Sequence, residues 1–265
     1  MSYPNIVYGN YGDEKTSQSA KIGGLPLGQL MILPDGRKFR HARAGSATDL
    51  EAGAIVSTTA TAVGHGGVSG SGLLASATTT ENQAGDTDVY LTSKSTVITK
   101  NDYAEGMLNV LGPAASSYIG HVYKIKANDS SAVSSKVKFT LYPRDGLKVT
   151  AKAATTLHSL RKSPYTDAIV MNAATVIAPV MGGTPSAVTK SHYFWVQRGG
   201  ECSMQQSATV CVVGEPVMAD TALAGSVTLA VAGSATTDTQ DNVIIGQCLE
   251  GAAASQAVQI DLRIE

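Results

Sequence analysis

The sequence predicts an all-β protein: antiparallel β-barrel or β-sandwich modules with long loops and an extended N-terminal arm. Three observations carry that expectation. Apolar runs are short and bounded by Gly, Pro, Asp or Ser, as strands joined by turns are. Several runs alternate with a period of two. In AVQIDLRIE, Val258, Ile260, Leu262 and Ile264 point one way, and Gln259, Asp261, Arg263 and Glu265 the other, which gives one buried and one wet face. No sustained helical stripe with caps is visible; the longest candidate, 168–178, is rich in Ala, Val and Ile without a helical period.

Taken in order, residues 1–23 are polar and carry no period, so they read as an extended arm. Such arms are usually frayed and solvated. Tyr3, Tyr8, Tyr11 and the pair Ile6-Val7 make this one a candidate contact for a partner surface, because Tyr supplies contact area at low entropic cost. With so little apolar content, the arm is expected to order only against such a partner. From Leu25 onward, GQLMILPDGRKFRHARAG reads strand, turn, strand, with Pro34-Asp35-Gly36 turning and Phe39 facing the core. Residues 50–57 give another short strand. Residues 58–86 hold almost no large side chain and read as a surface loop with local strand pairing. Alternation returns over 87–150. The clearest local feature there is a hairpin over 118–142, turning at 128–131, with Val122, Lys124 and Lys126 alternating against Tyr123 and Ile125, and with Val137, Phe139 and Leu141 inward.

The densest signal lies over 192–265. His192-Tyr193-Phe194-Trp195-Val196-Gln197 holds the only Trp and one of the 3 Phe, a density that favours a pleated, half-buried surface. Gly199-Gly200 then reads as a tight turn. Phe194 and Trp195 face opposite ways, so one of them needs a second apolar layer or a subunit interface. Phe39, Phe139, Phe194 and Trp195 are the candidate core anchors. The implied organisation is an arm over 1–23, an N-terminal β domain over 24–150, an irregular connector over 151–190 and a C-terminal β-barrel-like part over 191–265. That last part either stands alone or is continuous with 24–150.

Length and charge bound the function. A chain of 265 residues suffices for one large all-β domain or two small ones, with a core that needs no disulfide. Net charge is -1, with 20 basic and 21 acidic residues, so the total shows no nucleic-acid footprint and no direct nucleic-acid partner is expected. Charged residues are 15% of the chain, against roughly 25% in an ordinary soluble domain. That suits Ser/Thr-rich outer faces of strands, or a protein that buries much of its surface in an assembly. Cys202, Cys211 and Cys248 include no CxxC pair and no His at metal-ligand spacing, so buried free thiols without a disulfide are expected. MSYPNIVYGNYG lacks the basic start and apolar core of a signal peptide. No apolar run approaches the roughly 20 residues that span a bilayer, so the expectation is a protein made in a cytosol, without a membrane partner.

Candidate chemistry is sparse. His41, His65, His121, His158 and His192 are spread singly. GHGGVSGSG is Gly-rich but has no GK[ST] and no following helix, so it does not read as a phosphate loop. Asp86 and Asp88 are spaced like calcium ligands without the rest of an EF-hand loop, and 238–242 makes a better turn than a metal loop. No GxSxG nucleophile elbow occurs. A carbohydrate-active enzyme would need paired carboxylates in an aromatic cleft, and one Trp supplies that poorly. No catalytic residue, cofactor or metal site is expected.

Several phrases, in order, carry a resemblance: PDGRKFRHARAG, then YAEGMLNV and GHVYKIK, then KFTLYPRDGL, and finally YFWVQRGG, VVGEPV and IIGQCLEG. Together they cover roughly 22–265 and resemble virion structural proteins of tailed bacteriophages, of the head decoration or cement class. The Gly-rich C-terminal pattern is also similar to small β-barrel capsid-decoration proteins. The resemblance implies a structural role, a homotrimeric habit, the major capsid protein as partner and a place on the outer face of the head. It brings no catalytic residues. The capsid or a neighbouring subunit is then the surface on which the arm residues Tyr3, Ile6, Val7, Tyr8 and Tyr11 would lie. The runner-up is a head-fibre, tail-associated or receptor-binding module.

Overall fold

Strands dominate, as the alternation predicts. The computed structural model describes residues 5–58, 73–75, 82–92, 97–110, 121–133, 135–150, 157–172, 179–220, 222–230, 244–254 and 256–265. Among these, helix is limited to one-turn 3-10 segments at Asp13–Lys15 and Ile22–Gly24. The chain divides into a body, built from 1–59 and 165–265, and an inserted unit over 60–164. The body opens with β1 (Ile6–Tyr8), β2 (Ser17–Gln18), β3 (Leu30–Ile32), β4 (Lys38–Arg43) and β5 (Ile55–Thr58). The insertion supplies β6 (Leu73–Ala75), β7 (Asp88–Thr92), β8 (Met107–Val110), β9 (Val122–Asn128), β10 (Lys136–Leu141) and β11 (Leu157–Arg161). The body resumes with β12 (Ala168–Val170), β13 (Val180–Gly183), β14 (Tyr193–Gln205), β15 (Pro216–Ala219), β16 (Val227–Leu229), β17 (Ile244–Glu250) and β18 (Ala257–Arg263).

The body is a sandwich-like 12-stranded sheet whose main path runs β1-β3-β4-β14-β18-β17-β15-β16. Its centre is β14, 13 residues long. The first half of β14 pairs with β4, from Tyr193↔Arg43 to Gly199↔Lys38, and the second half with β18, from Gly199↔Arg263 to Gln205↔Ala257. Both faces of the first half are buried. Phe194 and Val196 pack with Ala42, Leu50, Val56 and Met181, while Trp195 packs on the other side with Met31, Leu33 and Phe39. The second half buries one face: Met204 joins Val217, Ile245, Val258, Ile260 and Leu262. The alternation read in 257–264 is therefore present, with Val258, Ile260 and Leu262 inward.

Gly199-Gly200 is where the structure departs from the predicted turn. The strand runs through both glycines and carries a bulge there, between Gln197 and Gly199 in its pairing with β4, as that pairing ends and pairing with β18 begins along its other edge. Gly200 has φ +84, and a Cβ on it would lie 2.9 Å from Arg37 Cγ. A left-handed residue beside a close neighbour requires glycine. The buried Gln197 amide caps the bulge by donating to the carbonyls of Gly199, Gly200 and Glu201, at 3.3, 3.3 and 2.9 Å.

The insertion pairs in a closed ring of six strands, β10-β7-β6-β11-β8-β9, a small antiparallel barrel with its own core. Tyr123, Ile125, Val137, Phe139 and Leu141 lie inside it, as the hairpin pattern requires, and β9 pairs with β10. The division into units differs from the one composition suggests. Residues 24–150 and 151–190 are each split between body and barrel, and 191–265 is a share of the large sheet rather than a barrel. The physical reason is strand pairing. Thr58 in β5 faces Ala168 in β12, so the chain leaves and re-enters the body at neighbouring strands. The GHGGVSGSG stretch, His65 and 238–242 lie outside the described residues.

All four candidate anchors, Phe39, Phe139, Phe194 and Trp195, are buried. Trp195 is only 2% exposed and tilts against His41 with ring centres 5.3 Å apart. Truncation there leaves a cavity in a layer of four large side chains. Trp195→Ala is expected to lower unfolding free energy by about 3–5 kcal/mol, read by chemical denaturation.

Candidate functional site

Residues 5–23 are not a free arm. From Ile6 to Tyr8 they form a parallel edge strand on β3, and the Gln29 side-chain amide donates to the Asn5 carbonyl at 2.9 Å. Gly9 continues the pairing through its N–H to Ile32 O at 3.0 Å, and Met31 Sδ would lie 2.7 Å from a Cβ at this position. A tight turn follows. Asp13 accepts from Asn10 N–H at 2.8 Å, and the buried Glu14 carboxylate accepts from Gly12 N–H at 2.6 Å and lies 3.8 Å from Arg37. Ser17 and Gln18 then pair with Phe194 and Tyr193. Val7 packs on the cluster of Met31, Leu33, Phe39 and Trp195, so the partner that orders this segment is the protein's own sheet. Ile6 is half-buried. Tyr8 and Tyr11 remain 80% and 64% exposed, and Tyr3 lies outside the described residues.

A cleft of about 420 Å³ opens where the β3–β4 turn meets the bulge of β14, lined by Asp35, Arg37, Glu201, Cys202, Ser203 and Gln259 among others. Its arginine is already committed. Arg37 Nε donates to Asp35 at 2.7 Å, and its guanidinium lies over the Phe39 ring, 5.8 Å from the centre. Burial, helped by the nearby Asp261 carboxylate, pushes the Cys202 thiol up to about 12, so at neutral pH it is a thiol rather than a thiolate nucleophile. Cys211 and Cys248 lie in the body core, with burial pushing Cys211 to about 11. All three cysteines are free. Asp86 and Asp88 serve as local acceptors, for Gln83 N–H and the Thr140 hydroxyl. Among the described residues no group of three or more His, Cys, Asp or Glu is placed to hold a metal ion.

The other distinctive surfaces are apolar and charged rather than concave. In the body, the turn Val212–Glu215 closes through Glu215 N–H to Val212 O, with Gly214 at φ +85. It is clasped onto β17 by Gly214 N–H to Cys248 O at 2.9 Å and Cys248 N–H to Glu215 O at 3.0 Å. Its outer side presents Val212 and Val213, with Leu249 next to Cys248 on the adjoining strand; all three are exposed, and so are Glu215 and Glu250. In the barrel, a bulge sets Lys126 and Ala127 opposite Thr140. By alternation, Val122 and Lys126 of β9 face outward and Lys124 is half-buried with its Nζ donating to Glu105 O, beside the exposed Lys136 and half-buried Lys138 of β10. The exposed Tyr142 joins them through its N–H to Lys124 O. Sequence reasoning missed both patches. The signal in each was local: two Val before a turn glycine in CVVGEP, and a lysine at alternate positions in YKIK and KVK.

The C-terminal Glu265 side chain is held by two arginines. Arg40 donates to both of its oxygens, and Arg198 Nε donates at 3.1 Å. Each arginine is itself fixed by a backbone carbonyl, Gly28 for Arg40 and Met181 for Arg198. Comparison of the chain with family models, with curated proteins and with solved structures finds no match in any of the three.

Two outcomes follow from these groups. Native Cys202 is expected to react with a thiol reagent at pH 8 at least about a hundredfold more slowly than free cysteine, because so little of it is thiolate. A stopped-flow thiol assay on the folded chain reads this. The Arg40 hydrogen bonds hold the Glu265 carboxyl below its usual range. The unfolded state therefore binds the extra proton, and this contribution is present above the ordinary carboxylate range and lost as pH falls through the folded value. Glu265→Gln is expected to flatten the acid side of a stability-versus-pH profile and to be less stable than the parent at pH 7.

Proposed function

We propose that this chain is a structural virion protein, a capsid decoration or cement protein that binds the outer face of a phage head as a homotrimer. The observation that carries the reading is the pair Tyr8 and Tyr11. Both are strongly exposed, yet they stand on a segment hydrogen-bonded into the body sheet. Aromatic rings fixed on a pre-ordered segment bind a flat protein surface without the entropic cost of ordering a tail. The ordered phrases that resemble decoration proteins support the same role, as does a chain with only 15% charged residues. The mechanism is avidity. A packaged genome pushes the shell outward, and a trimer touching several capsomers turns separate weak contacts into one clamp. Contacts of roughly 800 Å² per partner suffice when several act together.

Copy number tests the class of the protein. Virions carrying this chain are expected to hold hundreds of copies by quantitative gel. A few or tens would favour the fibre or tail reading. The double variant Tyr8→Ala/Tyr11→Ala is expected to fold with unchanged thermal stability and to weaken binding to undecorated capsids by tenfold or more, about 1.4 kcal/mol. Equal occupancy at sub-saturating concentration would remove these tyrosines from the contact.

A further inference from the structure

We propose that copies of this chain associate head to tail. The lysine face of one copy's barrel docks on the apolar, acid-rimmed turn Val212–Glu215 of the next copy's body. Charge complementarity selects a second copy as the occupant. Residues 60–164 contain 11 of the 20 basic and 7 of the 21 acidic residues, a net of +4, so the remaining 9 and 14 give the body a net of -5. The two faces match in anatomy as well. Each has an exposed apolar centre, Val212, Val213 and Leu249 on the body and Val122 and Tyr142 on the barrel. Glu215 and Glu250 stand at the rim of the body face, with Arg263 reaching Gln247 beside the turn, and Lys126 and Lys138 stand at the rim of the barrel face, with Asp88 and Asp129 beside Lys138. An apolar centre within a polar rim is how stable protein contacts are built. Local partners hold these lysines in place: Lys138 lies 3.9 Å from Asp88, Lys136 stacks over Tyr90 at 4.4 Å, and Lys124 Nζ donates to Glu105 O. Because the two faces differ, the contact is heterologous and closes into a ring when the rotation allows. The inference rests on the self-association in the preceding reading, not on capsid binding.

The test uses full-length chains with reversed charge: Lys126→Glu/Lys138→Glu on the barrel, and Glu215→Lys/Glu250→Lys on the body. Sedimentation is measured at low and high salt, because the Debye length shrinks from about 30 Å at 0.01 M to about 3 Å at 1 M. The parent is expected to sediment as an oligomer whose mass falls as salt rises. Each variant alone is expected to stay monomeric. An equimolar mixture is expected to associate again, the reversed barrel face of one chain meeting the reversed body face of the other. A three-membered ring of two kinds of chain keeps one like-charged contact, so the restored species is a pair or an even-numbered ring rather than the closed trimer. A contact within one chain cannot be rescued by mixing, so a mixture that stays monomeric overturns the proposal. A parent monomeric at every concentration overturns it too, as does a reversed variant that still assembles. Should a reversal fail to fold by circular dichroism, the neutral pair Lys126→Gln and Glu250→Gln replaces it. Each neutral variant alone is then expected to dissociate at about tenfold lower dilution than the parent, and unchanged dissociation overturns the contact. If the rescue fails while virion copy number stays in the hundreds, the decoration reading stands and only this contact falls. If the rescue succeeds with few copies per virion, the contact stands and the decoration reading falls.

Discussion

Every layer of the body depends on one strand having partners along both of its edges. Buried backbone N–H and C=O groups must be paired, and β14 is buried on both faces over its first half. One edge is supplied by β4. The other is supplied piecewise, by β2 at Tyr193 and Phe194, by β13 at Gln197 and by β18 from Gly199 onward. These partners come from residue 17 through residue 263, so a single strand draws almost the whole span of the chain into one sheet. The glycine pair makes this possible. The bulge between Gln197 and Gly199 ends the β4 pairing, and the left-handed Gly200 follows it, where a side chain would meet Arg37.

The same constraint explains the insertion. The body sheet is already saturated around β14, and 60–164 leaves from β5 and returns to β12, two strands that pair with each other. A long excursion between adjacent antiparallel strands leaves the host sheet unaltered, which is why such sites accept whole domains. The barrel in turn closes its ring and buries its own cluster around Tyr103, Tyr123 and Phe139. Closure leaves no open strand edge.

What could be read from the sequence was whatever depends on near neighbours. The inward set Val258, Ile260 and Leu262 follows from a period of two, and so does the barrel hairpin with Phe139 inside. The Pro34-Asp35-Gly36 turn is equally local, with Gly36 N–H bonded to Leu33 O at 2.9 Å. What could not be read was decided by distant residues. Gly199-Gly200 has the same local appearance as a turn, and the choice of a bulge lies with Arg37 and the C-terminal strand. Residues 1–23 lack a core of their own, and their order comes from the side chains of Gln29, Met31 and Arg37. The identity of Tyr8 and Tyr11 as contact candidates was legible; the rigid backing behind them was not.

Charge and packing together shift attention from pockets to surfaces. The cleft beside the β3–β4 turn holds Arg37 already matched to Asp35 and Glu14, and a Cys202 kept protonated by burial. A total charge of -1 looks neutral, but it is the difference between a basic barrel and an acidic body. Neutrality of the sum therefore does not make either surface bland. Ordering the N-terminal segment costs on the order of 1–2 kcal/mol per residue, a cost met during folding by Val7, Gln29 and the Glu14 turn. In the proposed role, contacts made afterwards by Tyr8 and Tyr11 would carry none of it. Under the proposed decoration role, aromatic rings ordered before binding and units of opposite sign would suit repeated weak docking in an assembly, where each contact adds to the next.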